Sequence, residues 1–225
     1  MSSPIAQTAP ARRAALSRSR VLEAALELVD REGLDALSMR RLAAELGVEA
    51  MSLYTHVANK DDLLRGLSEL VWAEIVAAAP PEDDWPAWLR TLGHAMRDAV
   101  RRHPNALPVL VSGDVSPVPA LELFADQLER ADTAGLDRDA AVSALRAVTA
   151  FALGSAVSEL CCFGPAPASR DETERQRLVR ISRALPADMP DRLVDVALTV
   201  CGGSDVVRIF NDGLELIIRG CDLDG

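Results

Sequence analysis

A run of side chains suited to a DNA groove lies between residues 50 and 55. They are small, hydroxyl-bearing or aromatic, the types that fit among base edges and phosphates. The major groove of DNA admits an α-helix, so these residues could bind there if one helix presents them together. The set consists of Ala50, Met51, Ser52, Tyr54 and Thr55.

The preceding residues predict a helix-turn-helix that would present this set. Ser38 can cap the start of a helix, because its hydroxyl accepts a hydrogen bond from an unpaired backbone N–H. Leu42, Ala43 and Leu46 follow at helical spacing and form an inward-facing stripe. Gly47 ends this helix, since glycine adopts the left-handed conformation without steric cost. The next helix would carry the DNA-contacting set.

Two further helices flank this motif. Apolar residues at helical spacing predict a helix over residues 17–32 that ends at Gly33. Asn59 predicts the start of another, with acidic residues in its first turn, where the helix dipole favours negative charge. Lys60 is the only lysine of the chain and lies at this start. Its ammonium and the neighbouring backbone N–H groups could together hold a phosphate.

The motif region resembles the DNA-binding domain of tetracycline-repressor (TetR) family regulators. This resemblance rests on residues 33–48, 53–60 and 63–64. Near the other end of the chain, residues 147–154 and 210–220 resemble the two dimerisation helices of the tetracycline-repressor subfamily. The resembling segments therefore bracket nearly the whole chain.

The resemblance implies roles for individual residues. Arg40 matches a position that contacts a guanine, and Lys60 matches a phosphate contact. Ala50 and Met51 match recognition-helix positions but carry no donor for a base edge, so the operator must differ from the one that the family's founder binds. His56 lies in the family motif, where it supports the recognition helix or binds a phosphate. The predicted DNA-binding residues are completed by Ser38, Ser52, Tyr54 and Thr55.

The composition favours an all-α protein. Hydrophobic residues make up 49% of the 225 residues but aromatic residues only 4%, so alanine and leucine fill the core. Helix-forming residues run throughout, without alternating strand-like segments between turn residues. We expect a disordered N-terminal arm at 1–16, a three-helix helix-turn-helix domain at 17–62, and a larger helical ligand-binding and dimerisation domain at 63–225.

The charge distribution is uneven along the chain. The net charge of −10 argues against a polyanionic partner. However, residues 1–60 hold eight basic and seven acidic groups, a sum of +1, whereas residues 61–225 hold 16 and 27, a sum of −11. The cationic leading edge could enter the minor groove of DNA, or it could be a solvated tail. Its basic residues are Arg12, Arg13, Arg18 and Arg20.

Two helices are too apolar for one chain to cover. Residues 140–160 hold only Arg146 and Glu159 as charges, but serine and threonine make the segment too polar for a membrane span. Residues 204–220 are apolar on adjoining stripes. We expect helices at about 140–162 and 204–220 from two subunits to form a four-helix bundle, with both DNA-binding domains on one palindromic operator. A purely intramolecular core is the alternative.

No residue set suited to catalysis or metal binding stands out. The four cysteines lack paired CxxC spacing and a histidine partner, so a zinc site is not expected. Adjacent Cys161 and Cys162 could sense oxidants, but packing is the simpler role. His94 and His103 are expected at the surface or in a pocket, and neither a Ser/His/Asp set nor a glycine-rich phosphate loop occurs. The sequence predicts neither enzyme activity nor a cofactor.

The larger domain resembles the family's ligand-binding module, whose occupancy changes the separation of the two DNA-binding domains. The helix over residues 59–78 would couple the domains, because it begins in one and lines the other. Positions that bind tetracycline and magnesium in the founder hold Val76, Leu92 and Leu110 here, which favours an apolar or aromatic ligand. The residues predicted to line its site, each of which could equally be core, are Trp72, Trp88, Leu92, Met96, Leu110, Phe124 and Phe151.

Together these patterns predict a homodimeric repressor, released from a palindromic operator by a small, largely apolar ligand. The N-terminus lacks an apolar stretch behind a basic end, so we expect a cytoplasmic protein without a membrane partner. Residues 163–183 resemble the loop region beside the family's ligand entrance, or they form a linker. The alternative is a small-molecule sequestering protein that has lost DNA binding, which the acidic balance favours. An all-helical enzyme has no residue set behind it.

Overall fold

Every regular element in the described part of the chain is a helix, which confirms the all-α fold. The computed structural model describes residues 16–111, 116–162, 174–201 and 206–221. The chain separates into two compact units, the first ending at Leu67 and the second beginning at Ser68. Residues 1–15 of the predicted arm and residues 163–173 of the predicted loop region lie outside the described ranges.

The first unit has a small aliphatic core to which each of its helices contributes. It consists of α1 (Arg18–Glu32), α2 (Met39–Leu46), α3 (Ala50–Leu53) and the start of α4 (Lys60–Ala78), with a 3₁₀ turn at Leu34–Ala36. The Ser17 hydroxyl accepts a hydrogen bond from the N–H of Arg20 at 3.2 Å, so α1 begins where the sequence predicts. Fully buried side chains of the core include Val21, Leu28, Leu42, Leu53 and Leu63.

Gly47 makes the tight turn between α2 and α3. Its φ of 64° and ψ of 37° lie in the left-handed region, as the sequence predicts. The N–H of Gly47 donates to the carbonyl of Ala44 at 3.2 Å, and the N–H of Val48 donates to that of Ala43 at 3.0 Å. This is the Schellman pattern, which satisfies the last carbonyls of a helix and turns the chain sharply.

An ion pair joins the start of α1 to the first turn of α4. Both terminal nitrogens of Arg18 lie 2.9 Å from carboxylate oxygens of Asp62. The N–H of Ala58 donates to the same carboxylate at 2.9 Å. The hydrogen bonds from Arg18 are the largest cause that lowers the pKa of Asp62 to about 2, and the bond from Ala58 adds to it. Arg18 of the predicted cationic leading edge is therefore held in an ion pair, in which Asp62 offsets its charge.

The second unit is built around α5. Besides the rest of α4, its described helices are α5 (Trp85–Arg102), α6 (Leu107–Val111), α7 (Val118–Thr133), α8 (Arg138–Cys162), α9 (Glu174–Ala184), α10 (Asp191–Cys201) and α11 (Val206–Gly220). A 3₁₀ turn at Pro104–Ala106 links α5 to α6. α5 packs against both α8 and α11, and α7 packs against α8.

A buried charge links the three central helices of this unit. Arg97 of α5 is only 3% exposed, and its Nε lies 2.7 Å from the carboxylate of Glu159 on α8. Its guanidinium carbon is 4.9 Å from the ring centre of Phe210 on α11, which in turn stacks with Phe151 at 5.4 Å. Because a buried charge is costly unless it is paired, these contacts hold α5, α8 and α11 in one arrangement.

Neither α8 nor α11 is covered on all sides within one chain. Among the described helices, only α8 is long and apolar enough to cross a membrane by length and composition, and 33% of its apolar window is buried. On α11, Val207, Ile209 and Leu216 are 48%, 49% and 75% exposed. A single chain therefore does not bury these two helices completely, as their apolar composition led us to expect.

The lowered pKa of Asp62 predicts an acid-sensitive contribution to the stability of the first unit. An unfolded aspartate has a pKa of about 3.9. The contribution is therefore complete above about pH 4 and is lost as the pH falls towards about 2. We expect Asp62→Asn to lower the free energy of unfolding by about 1 kcal/mol at neutral pH, because Arg18 is 41% exposed and solvent screens the pair. Urea denaturation followed by circular dichroism measures this loss.

Asp61→Asn is the matched control, since Asp61 is the neighbouring exposed carboxylate of the same turn. Below about pH 4 the stability of Asp62→Asn should fall less steeply than that of the wild type, whereas Asp61→Asn keeps the pair between Arg18 and Asp62 and should retain the steep fall. Identical pH profiles for the wild type and Asp62→Asn would contradict the assignment.

Candidate DNA-binding site

α3 turns one residue into the core and the rest towards solvent. Leu53 is fully buried and anchors this four-residue helix. Met51 is 73% exposed, and Tyr54, which directly follows α3, is 46% exposed. Ser52 is also exposed, and Ala50 is half-buried. The helix therefore offers a face of mixed apolar, hydroxyl and aromatic groups.

Of two hydroxyl groups in the predicted set, one already donates its proton within the chain and the other does not. The Thr55 hydroxyl donates to the carbonyl of Ser52 at 2.7 Å, so its oxygen can only accept a further bond. The Ser38 hydroxyl accepts from the N–H of Arg41 at 3.2 Å, as a helix cap does. This leaves the proton of Ser38 for a phosphate oxygen, whereas Thr55 suits a donor on a base edge.

The two arginines of α2 have different surroundings. Arg41 lies 2.5 Å from the carboxylate of Glu32, and this hydrogen bond raises the pKa of Arg41 and lowers the pKa of Glu32. Arg40 is exposed, and no ion-pair partner for it is found among the described residues. Arg40 therefore keeps the forked donor geometry that recognises a guanine edge or a phosphate.

The first turn of α4 uses part of its backbone donors internally. The side-chain oxygen of Asn59 accepts from the N–H of Asp62 at 2.8 Å, which confirms the predicted cap. The carboxylate of Asp62 occupies the N–H of Ala58. Lys60 is exposed at this turn. A phosphate here would bind the Lys60 ammonium together with the amides that these two side chains leave open.

All nine residues predicted to contact DNA lie on the first unit, between the start of α2 and the start of α4. Seven of them are exposed, and Ala50 and His56 are half-buried. Sequence reasoning did not identify the carboxylates that occupy other arginines of this unit. Glu32 binds Arg41, and Glu45 accepts from Arg31 at 2.8 Å. These pairs join different helices, so no spacing along the chain could reveal them.

The residues predicted to line a ligand site lie on the second unit and differ in burial. Trp72 of α4 contacts Phe124 of α7 edge to face, with ring centres 5.8 Å apart. Phe151 belongs to the stacked pair beside Arg97. Of the others, Leu110 is half-buried, and the fully buried ones are Trp88, Leu92 and Met96.

The histidines of the second unit contact neighbouring side chains. The Nε2 atom of His103 lies 3.2 Å from the carboxylate of Glu74. His94 packs edge-on against the aromatic ring of α11. The side chains of Cys161 and Cys162 fall outside the described residues. In the ranges that the structure covers, no group of three or more His, Cys, Asp or Glu side chains is arranged to hold a metal ion.

The chain is similar to known regulators over both units. Residues 21–67 match the family described as bacterial regulatory proteins, tetR family, and residues 77–223 match the tetracyclin repressor-like C-terminal domain. The tetracycline repressor protein class C of Escherichia coli is 30% identical over 216 residues, which cover 92% of this chain and 91% of that protein.

Solved structures extend the similarity to the fold. A possible TetR family transcriptional regulator from Streptomyces coelicolor A3(2) has a TM-score of 0.72 at 27% identity, over 91% of this chain and 98% of that chain. The Streptomyces coelicolor TetR family protein ActR, solved in complex with actinorhodin, has a TM-score of 0.71 at 26% identity, over 92% and 96% of the two chains.

Gly47→Ala is expected to destabilise the first unit by about 1 kcal/mol, because a Cβ atom is strained in the left-handed conformation. The free energy of unfolding, measured by urea denaturation, tests this. Gly47→Asn is the matched control, since asparagine tolerates this conformation better and should lose less. Equal losses from the two substitutions would show that the backbone conformation of the turn is not what selects glycine.

Proposed function

The chain belongs to the tetracycline-repressor (TetR) family, and we propose that it is a homodimeric transcriptional repressor that a small, largely apolar ligand releases from a palindromic operator. One observation carries the proposal. Arg40 is exposed on the helix before α3, in a unit where Arg18, Arg31 and Arg41 are all held in ion pairs. An uncompensated guanidinium on the helix that precedes α3 suits a base or phosphate contact.

In this proposal α3 lies in the major groove. Arg40 donates two hydrogen bonds to one guanine, a contact that discriminates by about 1–3 kcal/mol. Met51 carries no donor and is 73% exposed, so it contributes apolar contact with a thymine methyl group. Lys60 and the free hydroxyl proton of Ser38 bind phosphates on either side, which fixes the register of the helix on the duplex.

Two subunits are required, because each helix-turn-helix binds only one half of a palindromic operator. We infer that α8 and α11 of both subunits form a four-helix bundle. The uncovered side chains of α11 support this, as does Gly154 of α8, where a Cβ atom would meet nothing within 4 Å. The two α3 helices would then bind half-sites about 34–36 Å apart.

The second unit takes the ligand in this proposal. The complex of ActR with actinorhodin supports a small-molecule ligand for this fold. Val76, Leu92 and Leu110 stand at the positions that match the metal and drug contacts of the family's founder, so the ligand is apolar and needs no metal. It must bind the DNA-incompetent arrangement more tightly, since equal affinity for both arrangements would shift nothing.

We further infer a regulatory rather than enzymatic role and a cytoplasmic location, where operator DNA is found. α8 serves as an interface helix and not as a membrane span. Arg146 lies in the middle of this helix, and Glu159 near its end is bonded to Arg97. Charges at these depths would be expensive in a bilayer.

Fluorescence anisotropy tests DNA binding, with a labelled duplex taken from upstream of the protein's own gene. Binding should weaken as salt rises, because phosphate contacts release counterions. We expect Arg40→Ala to lower affinity for this duplex by about tenfold to a hundredfold, the value of a lost guanine contact. Arg41→Ala is the matched control and should stay within about threefold of the wild type, because Glu32 already occupies that guanidinium.

A scrambled duplex completes this test. If the wild type binds both duplexes alike at every salt concentration, the repressor proposal fails and the sequestering function takes its place. Equal losses from Arg40→Ala and Arg41→Ala would reject the assignment of the guanine contact to Arg40 alone.

Leu216→Glu is expected to break the dimer, because a carboxylate would be buried between apolar helices. Size-exclusion chromatography with light scattering should give a dimer for the wild type and a helical monomer for the variant. Affinity for the operator should fall by more than about tenfold, since each half-site would then be bound singly.

Met51→Glu is the matched control, because it introduces the same carboxylate at a side chain that is equally exposed in one chain. Met51 is 73% exposed and Leu216 is 75% exposed. This control should remain dimeric while losing operator affinity, since its new negative charge would lie in the major groove between two negatively charged strands. A wild-type protein that stays monomeric at micromolar concentration would contradict the dimer.

A further inference from the structure

One exposed stripe of α8 carries an arginine without a partner in the described part of the chain. Arg146 lies in this stripe with Ser143, Ala150 and Gly154, which are exposed and uncharged. These residues recur every three or four positions, so they share one face of the helix. If a second subunit covers this face, the guanidinium of Arg146 is costly to bury unless that subunit supplies an acid.

α11 carries a carboxylate in the middle of its own exposed stripe. Asp212 lies between Ile209 and Leu216 at helical spacing, and these two apolar side chains are 49% and 75% exposed. Arg208 contacts the carboxylate from the preceding turn at 2.9 Å, but both side chains of this pair are more than 60% exposed, so the pair adds little stability. A carboxylate can accept from two arginines, and Asp212 can therefore bind a second one.

Other carboxylates of these two helices are less suited to Arg146. Glu159 is bonded to Arg97, and Glu215 is bonded to Arg90, both within the chain. Asp139 lies in the first turn of α8 and not in the middle of the stripe. Asp212 is therefore the acid that an uncovered apolar stripe of a second subunit would bring.

α8 and α11 run in opposite directions along each other. Phe151 of α8 stacks with Phe210 of α11. Val148 and Leu214 meet at Gly93 of α5, where a Cβ atom would lie 3.5 Å and 3.1 Å from their side chains. Position 214 follows position 210 on α11, whereas position 148 precedes position 151 on α8, so the two helices are antiparallel.

Arg146 and Asp212 lie on opposite sides of the level that Val148 and Leu214 share. Each is two residues from this level, which is about 3 Å along the helix axis. A two-fold axis that crosses the helices at this level exchanges its two sides. It therefore brings Arg146 of one subunit level with Asp212 of the partner subunit, and every contact across a two-fold interface occurs twice.

We propose that Arg146 of each subunit binds Asp212 of the partner subunit, and that these two symmetric ion pairs fix the register of the dimer and select a second copy of this chain. The inference rests on the proposed function, which gives the chain a dimer but not the contact that aligns it. Apolar stripes alone tolerate sliding and related partners. A charge that meets no opposite charge at a covered position penalises both.

Charge reversal tests these pairs. Arg146→Glu or Asp212→Arg alone places like charges opposite each other twice in a dimer. We expect each variant to raise the dissociation constant of its homodimer at least about a hundredfold, as measured by analytical ultracentrifugation of the full-length protein. Mixed in equal amounts, the two variants should form a heterodimer, because in both of its pairs an acid then faces an arginine. Native mass spectrometry identifies this heterodimer by its mass.

Arg138→Glu is the matched control, because it makes the same substitution at another exposed arginine of α8. Arg138 already pairs with Asp132 within the chain. The dissociation constant of this variant should stay within about threefold of that of the wild type. Circular dichroism checks that each variant keeps its helices, and the double variant Arg146→Glu/Asp212→Arg should dimerise again even if one single variant folds poorly.

A homodimer of Arg146→Glu as tight as that of the wild type would overturn the inference. A mixture of two folded single variants that yields no heterodimer, or a double variant that stays monomeric, would overturn it as well. Operator binding of the wild type is a separate measurement. A wild-type dimer that binds its operator while charge reversal has no effect keeps the proposed function and loses this inference. A protein whose reversed charges complement each other but which binds no operator does the opposite.

Discussion

The short helices of the first unit depend on contacts at their ends and beneath them. α2 has eight residues and α3 has four. An isolated helix in water needs about 12–15 residues to be even marginally stable, so both helices are too short to form alone. Ser38 and Gly47 satisfy the end groups of α2, and the buried Leu42 and Leu53 hold the two helices to the core. The exposed face of α3 therefore takes its geometry from the capped ends of α2 and from the buried side chains beneath both helices.

Features that act over a few residues are predictable from the sequence. The turn at Gly47 and the cap at Asn59 are set by chemistry within one helical turn of each residue, and both form as expected. The bond between Arg18 and Asp62 joins residues 44 positions apart, and folding alone brings them together. For the same reason the sequence does not show that Arg41, next to the predicted donor Arg40, is occupied by Glu32.

The ligand-lining residues show a second limit of sequence reasoning. A lining residue and a core residue obey the same apolar pattern at helical spacing, so periodicity cannot separate them. The burial and hydrogen bonding of individual side chains add information that periodicity lacks, because each buried donor needs an acceptor. Trp88 donates to the carbonyl of Ala79 at 3.3 Å, whereas the indole N–H groups of Trp72 and Trp85 have no acceptor among the described residues. Only a structure with side chains supplies this distinction.

The uncovered face of α8 is better met by a second copy of the chain than by a membrane. Glu159 of α8 is bonded to Arg97, which is 3% exposed in the centre of the unit. Moving α8 into a bilayer would leave Arg97 buried without its partner, a loss that apolar contact with lipid would have to offset. A second subunit leaves this pair intact and presents the same apolar surface in return. In the proposed dimer, one interface thus covers the exposed side chains and provides the two-fold symmetry that a palindrome requires.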